Sequence, residues 1–177
     1  MTSIDRRSFS IALAAGALAS PWSARAATGP DLPDLGAAPE FTGLGQWFNS
    51  APLTLASLRG KVVLVDFWTF GCVNCANTMP HVVRWYDRYA ARGFVVVGIH
   101  TPEFGYEKLA ANVQTALGRF DIRFPVAQDN DFATWKAWRN QYWPAFYLVD
   151  QAGRVRRRHF GEGEYAQMDQ AISALLA

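Results

Sequence analysis

The segment that decides the fold is Lys61-Val-Val-Leu-Val-Asp-Phe-Trp-Thr-Phe-Gly-Cys-Val-Asn-Cys75. Its first seven residues are an almost unbroken apolar, β-branched run, the pattern of a strand covered on both faces. The run stops at Trp68-Thr-Phe-Gly71. From Cys72 to Arg92 the apolar positions Met79, Val82, Val83, Tyr86 and Ala90 then recur at helical spacing, with Arg84, Asp87, Arg88 and Arg92 between them, and Gly93 closes the helix. The chain's two cysteines therefore sit where a buried strand turns into a helix.

Outward from this unit, Phe94 to His100 reads as a second buried strand, Glu103 to about Gly118 as a helix, and Phe124 to Ala127 as a short strand. Asp131 to Tyr142 reads as a helix striped with Phe132, Trp135 and Trp138 and capped by Asn130 or Asp129. Ala145 to Asp150 and Arg154 to Phe160 form a hairpin across Gln-Ala-Gly, and Glu164 to Leu176 is a terminal helix. Before the central strand, Leu44 to Phe48 and Leu53 to Leu55 are expected to pair as a short hairpin. Alternating β and α units followed by a hairpin imply a mixed sheet with helices on both faces. There is no internal repeat, second domain or transmembrane span in this pattern.

Residues 1–26 differ in kind. Arg6-Arg7-Ser8-Phe9 precedes the apolar run Ile11 to Ala19, and Ala24-Arg25-Ala26 follows with small residues at a cleavage position. Nine apolar residues fall short of the roughly 20 needed to cross a bilayer. The layout is that of an export signal and resembles the twin-arginine (Tat) type, the alternative being a Sec signal, with cleavage expected after Ala26 and a periplasmic mature protein. Residues 27–40 read as an extended lead-in and 41–177 as one domain. The formal charge of +2 belongs to the signal: without Arg6, Arg7, Arg25 and Asp5, 14 basic and 14 acidic residues remain. Nucleic acid is thereby excluded as an expected partner. The one basic cluster, Arg154, Arg156, Arg157 and Arg158, reads as a solvated strand edge. A chain with 14% aromatic residues needs a core and is not disordered.

The pair Cys72-Val73-Asn74-Cys75 carries the chemistry. Structural zinc generally takes four ligands, and no further cysteine exists to supply them. A disulfide closing a loop of two intervening residues constrains the unfolded chain little, so a purely structural bridge would stabilise weakly. At a helix N-terminus, free N–H groups and the positive end of the dipole stabilise a thiolate. Cys72 is the expected nucleophile, and Cys75, one turn in, the resolving thiol. The redox group is then the Cys72–Cys75 disulfide itself, with no organic cofactor and no metal.

Val65 to Cys75 with Pro80 five residues on resembles the thioredoxin superfamily, and Phe41 to Leu176 resembles its exported TlpA-like branch. Phe67-Trp-Thr-Phe70, His81-Val-Val-Arg-Trp-Tyr86, Gly98-Ile-His-Thr-Pro-Glu103 and Arg139-Asn-Gln-Tyr-Trp-Pro144 are most similar to the thioredoxin-like domain of DipZ-type proteins. The resemblance implies a thioredoxin-like α/β fold: a mixed central sheet flanked by helices, with an N-terminal β-hairpin extension and a βα insertion. It implies a thiol-disulfide oxidoreductase acting on cysteine-containing exported proteins. DipZ-type members usually carry a membrane electron-transfer domain, so a membrane electron donor of the CcdA/DsbD type is the expected partner.

Residue by residue, Asp66 matches the family's buried carboxylate, whose pKa burial would raise and which could take the Cys75 proton; the alternative is a carboxylate satisfied at the strand edge. Pro144 matches the cis-proline opposite the cysteines, where the backbone of Trp143 could pair with an extended substrate; the alternative is an ordinary trans-proline opening an edge strand. Trp68 and Phe70 complete the expected substrate-binding set with Trp143 and Pro144. Glu103 and Asn74 are candidate modulators. His100 is either a satisfied strand-end histidine or a pKa modulator. Val73-Asn74 lacks the histidine of strong oxidants and the Gly-Pro of cytosolic thioredoxins, which favours a reductase. Two other activities fit parts of the pattern. A thiol peroxidase would use Thr69 in the approach to its thiol, although Val65 stands where that motif has proline. A copper- or metal-delivery module would use Cys72, Cys75 and a histidine such as His100, although such modules generally have three residues between their cysteines.

Overall fold

A computed structural model describes residues 32–177. The expected signal and the start of the lead-in, residues 27–31, lie outside the described residues. The core strand β2 (Val62–Trp68) leads into α1 (Val73–Tyr89), which passes through a 3-10 turn (Ala90–Arg92) into β3 (Phe94–His100). Gly93, at φ 90°, makes the left-handed exit from the helix that a side chain would resist. A 3-10 turn (Gly105–Lys108) and α2 (Ala110–Arg119) follow, then β4 (Val126–Gln128), α3 (Ala133–Ala137), β5 (Ala145–Val149), β6 (Val155–Phe160) and α4 (Tyr165–Leu175).

With the two-residue β1 (Trp47–Phe48), the strands form one sheet ordered β1-β4-β3-β2-β5-β6. β2, β3 and β4 run parallel, while β5 and β6 turn back antiparallel. The alternation of side chains along β2 sorts the core into two layers. Val62, Leu64 and Trp68 face α1, α2 and α4 through Met79, Val82, Leu117, Met168 and Ile172. Val63, Val65 and Phe67 face the other way, onto Trp135, Trp138, Leu55 and Leu58. Asp66 alternates with Leu64 and Trp68 and so lies on the α1 face. Each buried aliphatic or aromatic side chain of these layers contributes about 1.5–3 kcal/mol.

Two expectations change. Leu53 to Leu55 form no strand, and β1 pairs instead with β4, Trp47 opposite Ala127. Asn49, at φ 61°, turns the chain away from a hairpin, and its side-chain amide donates to the carbonyls of Ile122 and Phe124, both at 3.0 Å. The helices expected at 103–118 and 131–142 are shorter. The first is split at Leu109, which is extended (φ −77°, ψ 121°). The second ends at Ala137 because Arg139 adopts φ 52°. Asp129 does cap α3, accepting from the Thr134 and Trp135 amides at 3.2 and 2.8 Å. The arginine run follows β6 at the sheet edge, where Arg154 pairs with Asp34, Arg156 with Asp150 and Arg157 with Glu164.

Candidate active site

Cys72 is the N-cap residue of α1: its backbone is extended, and its sulfur accepts the Cys75 amide at 3.3 Å. It is half-buried, whereas Cys75, one turn into the helix, is buried in the core beside Met79 and Val82. Both thiols are free. The hydrogen bond from the Cys75 thiol is the largest effect on Cys72. With the amides of Cys75 and Asn74 it outweighs partial burial and the nearby negative charge of Glu103, and brings the Cys72 pKa down to about 7. Burial, the same thiol–thiol hydrogen bond and the negative charges around it push Cys75 far upward. The two sulfurs are thus differentiated by one turn of helix: an accessible thiolate at neutral pH and a shielded thiol.

Asp66 lies beneath this pair. It is 1% exposed, and neither carboxylate oxygen has a hydrogen-bond partner. Burial first, and the Cys72 charge second, raise its pKa well above the usual carboxylate range. It is not a carboxylate satisfied at a strand edge. Trp68 is fully buried next to it, its indole packed against Gly98, where a Cβ would come within 3.0 Å of Nε1.

The other wall comes from the loop before β5. The Trp143–Pro144 peptide is cis, and the Trp143 indole donates to the Thr101 carbonyl at 3.0 Å. Asn74, Tyr142, Trp143, Phe160 and Gly161 line a cleft of about 470 Å³ beside the dithiol. Of the aromatic stripe, Trp135 and Trp138 are core, while Trp143 and the exposed Tyr142 form the cleft wall. Phe70 lies on the opposite flank, stacked on His100 (5.4 Å) and against Tyr106 (5.8 Å). Among the expected site residues, Cys72, Cys75 and Asp66 come together with Trp68, and Asn74, Trp143 and Phe70 border them.

Glu103 is exposed and acts on Cys72 only through its charge. The carboxylate built into the site is Glu107, four residues on and fully buried, which accepts the amides of Gly71, Glu103 and Phe104 at 2.8, 2.6 and 2.8 Å. The sequence does not single it out, since the Gly71 amide that ties it to the dithiol turn comes from a loop 36 residues away. His100 is buried between Phe70 and Trp68 with Nε2 3.3 Å from Thr69 Oγ1, and burial lowers its pKa to about 4. His81 stacks on Tyr165, and His159 meets the Glu162 carbonyl, both away from the dithiol. No three His, Cys, Asp or Glu side chains gather into a metal-holding group among the described residues.

The model of the AhpC/TSA family matches residues 36–158, a span that holds β1 to β5, most of β6, the dithiol and the cis-proline. The chain belongs to the AhpC/TSA family. Within the thioredoxin superfamily this AhpC/TSA member is TlpA-like. It is 46% identical over 148 residues to Protein DipZ of Mycobacterium tuberculosis, an alignment covering 82% of this chain and 21% of that one. It is 28% identical to thiol-disulfide oxidoreductase YkuV of Bacillus subtilis, covering 78% and 93% of the two chains. Among solved structures, a thioredoxin-like superfamily protein superposes with a TM-score of 0.74 at 30% identity, covering 80% of this chain and 97% of that one. The chain thus spans about a fifth of DipZ and nearly all of YkuV. Relatives of this AhpC/TSA member include proteins that are thiol-disulfide oxidoreductases.

Proposed function

We propose that the chain is an exported thiol-disulfide oxidoreductase that reduces disulfides in cysteine-containing proteins. The observation that carries the reading is the asymmetry of the pair: Cys72 is half-exposed at the α1 N-terminus with a pKa of about 7, and Cys75 is buried with a raised one. The Cys72 thiolate attacks one sulfur of the substrate disulfide; that S–S bond breaks, and the first substrate sulfur leaves as a thiolate. The protein and substrate are then joined by a mixed disulfide. Cys75 loses its proton to Asp66, whose raised pKa suits it to receive one. The Cys75 thiolate attacks Cys72 Sγ, a Cys72–Cys75 disulfide forms, and the second substrate thiolate departs. Two electrons have moved from protein to substrate. A dithiol donor, in our reading a membrane protein of the CcdA/DsbD type, returns them.

The cleft of Asn74, Tyr142, Trp143 and Phe160 suits an extended peptide flanking the attacked sulfur. No helix among the described residues is long and apolar enough to cross a membrane. Export through the Tat-type signal to the periplasm, with cleavage after Ala26, rests on residues 1–26 and is tested by sequencing the mature N-terminus.

The peroxidase reading needs a threonine hydroxyl turned to the thiol, and Thr69 turns its hydroxyl to His100 and Glu107 instead. The metal reading needs a histidine at the dithiol, and His100 is packed away between aromatic rings. Turnover of a protein disulfide by the purified chain with a dithiol donor tests the activity. Its direction is tested by the reduction potential, expected below the roughly −180 mV of protein disulfide isomerase. A higher value would make the protein an oxidant.

A further inference from the structure

Two buried carboxylates flank the dithiol, and their surroundings are opposite. Asp66 has no hydrogen-bond partner, whereas Glu107 has four donors: the Gly71, Glu103 and Phe104 amides and the Thr69 hydroxyl. A carboxylate offers about four lone-pair sites and no proton, so this set saturates it. Burial raises the Glu107 pKa, but the four hydrogen bonds outweigh it and hold the group below the usual range, as a permanent anion.

The donors span two loops. Thr69 and Gly71 lie on either side of Phe70 in the turn that carries the chain from β2 to Cys72; Glu103 and Phe104 belong to the loop after β3. The Thr69 hydroxyl lies between Glu107, whose pKa it helps to lower, and the buried His100, whose Nε2 is 3.3 Å away. The turn has one further tie, from Arg119 Nη2 to the Phe70 carbonyl at 3.0 Å. Gly71 admits no side chain, because a Cβ there would fall on Glu107 Oε1 and lie 2.9 Å from the Tyr106 hydroxyl.

We propose that Glu107 is a positioning residue for the dithiol: its carboxylate clamps the Thr69–Gly71 turn and so keeps the Cys72 sulfur seated on the amides of the first turn of α1. This rests on the assignment of Cys72 as the nucleophile. Glu107 does not touch the sulfur, and its effect runs through the backbone that delivers Cys72 to its N-cap position. The charged or titratable groups acting directly on Cys72 are Cys75 and Glu103, with Asp66 below.

Positioning and plain electrostatics give opposite signs. Removing a nearby negative charge lowers a thiol pKa, whereas loosening the turn raises it. Glu107→Gln removes the charge and sets an NH₂ group against donors. Its effect is read from the pH dependence of iodoacetamide alkylation at Cys72 in the reduced full chain, by mass spectrometry, with folding checked by circular dichroism. The midpoint is expected to move from about 7 toward the ordinary thiol value of about 8.5, cutting the thiolate fraction at pH 7 roughly ten-fold. Thr69→Val, which removes one donor at nearly constant volume, should move it the same way by less, and carries the test if Glu107→Gln fails to fold. An unchanged or lowered midpoint in the folded variants overturns the inference and leaves the nucleophile assignment standing. A parent midpoint already near 8.5 overturns that assignment, and the inference with it.

Discussion

Cys75 donates its backbone amide to the Cys72 sulfur across 3.3 Å, and its thiol adds a second hydrogen bond to the same atom. Cys72 is thus made reactive by its partner, and the partner is kept inert by burial in the core. Alkylation of Cys72 should therefore rise with pH about a midpoint near 7. In Cys75→Ala, which lacks the thiol donor, the midpoint should lie higher, and rates measured from pH 5 to 10 check it.

Asp66 has two expected signatures of opposite sense. In Asp66→Asn the Cys75 proton has no acceptor, so resolution of the mixed disulfide should slow by about 10²–10⁴-fold, the usual share of general base catalysis. Stability should move the other way. The folded pKa is raised above the ordinary 3.8, so the fold binds a proton that the unfolded chain has released, and stability falls as pH rises through that window. Asp66→Asn should accordingly be more stable than the parent at pH 7, with the gap closing as pH falls below about 4. Denaturant titrations at the two pH values measure it.

His100 has the reverse dependence. Its folded pKa of about 4 lies below the ordinary 6.5, so the unfolded chain takes up the proton first, and stability is lost as pH falls from 6.5 toward 4. The full effect is on the order of 3 kcal/mol. Asp66 slopes the other way in the same range, so the measurement belongs in an Asp66→Asn background, where His100→Asn should flatten the profile between those two values.

Tyr142 is 53% exposed on the cleft beside Asn74. Tyr142→Ala should raise KM for a protein disulfide several-fold with kcat nearly unchanged, and should shift stability by no more than about 0.5 kcal/mol, as exposed substitutions do. Steady-state kinetics with a protein and a small-molecule disulfide side by side check it, since only the former fills the cleft.

Most of what positions the dithiol was legible in the sequence because it is local. The Val62–Trp68 run, the cysteine at the head of a helix and the proline after Trp143 each announce themselves within a few residues. What was misread depends on distant partners. Leu53 to Leu55 looked like a hairpin arm, but β1 finds β4, nearly eighty residues on. Phe132, Trp135 and Trp138 have helical spacing, yet the left-handed turn at Arg139 ends the helix early. Glu103 and Glu107 are equally acidic in the sequence; only the fold brings the Gly71 amide to Glu107 and leaves Glu103 in solvent.

The central claim is that Cys72 attacks and Cys75 resolves, and trapping tests it most directly. With disulfide-bonded proteins as substrates, Cys75→Ser should accumulate a mixed disulfide through Cys72, identified by mass spectrometry and released by dithiothreitol, while Cys72→Ser should accumulate none. Trapping by Cys72→Ser and not by Cys75→Ser would contradict the account, because the buried sulfur would then be the one that reaches the substrate.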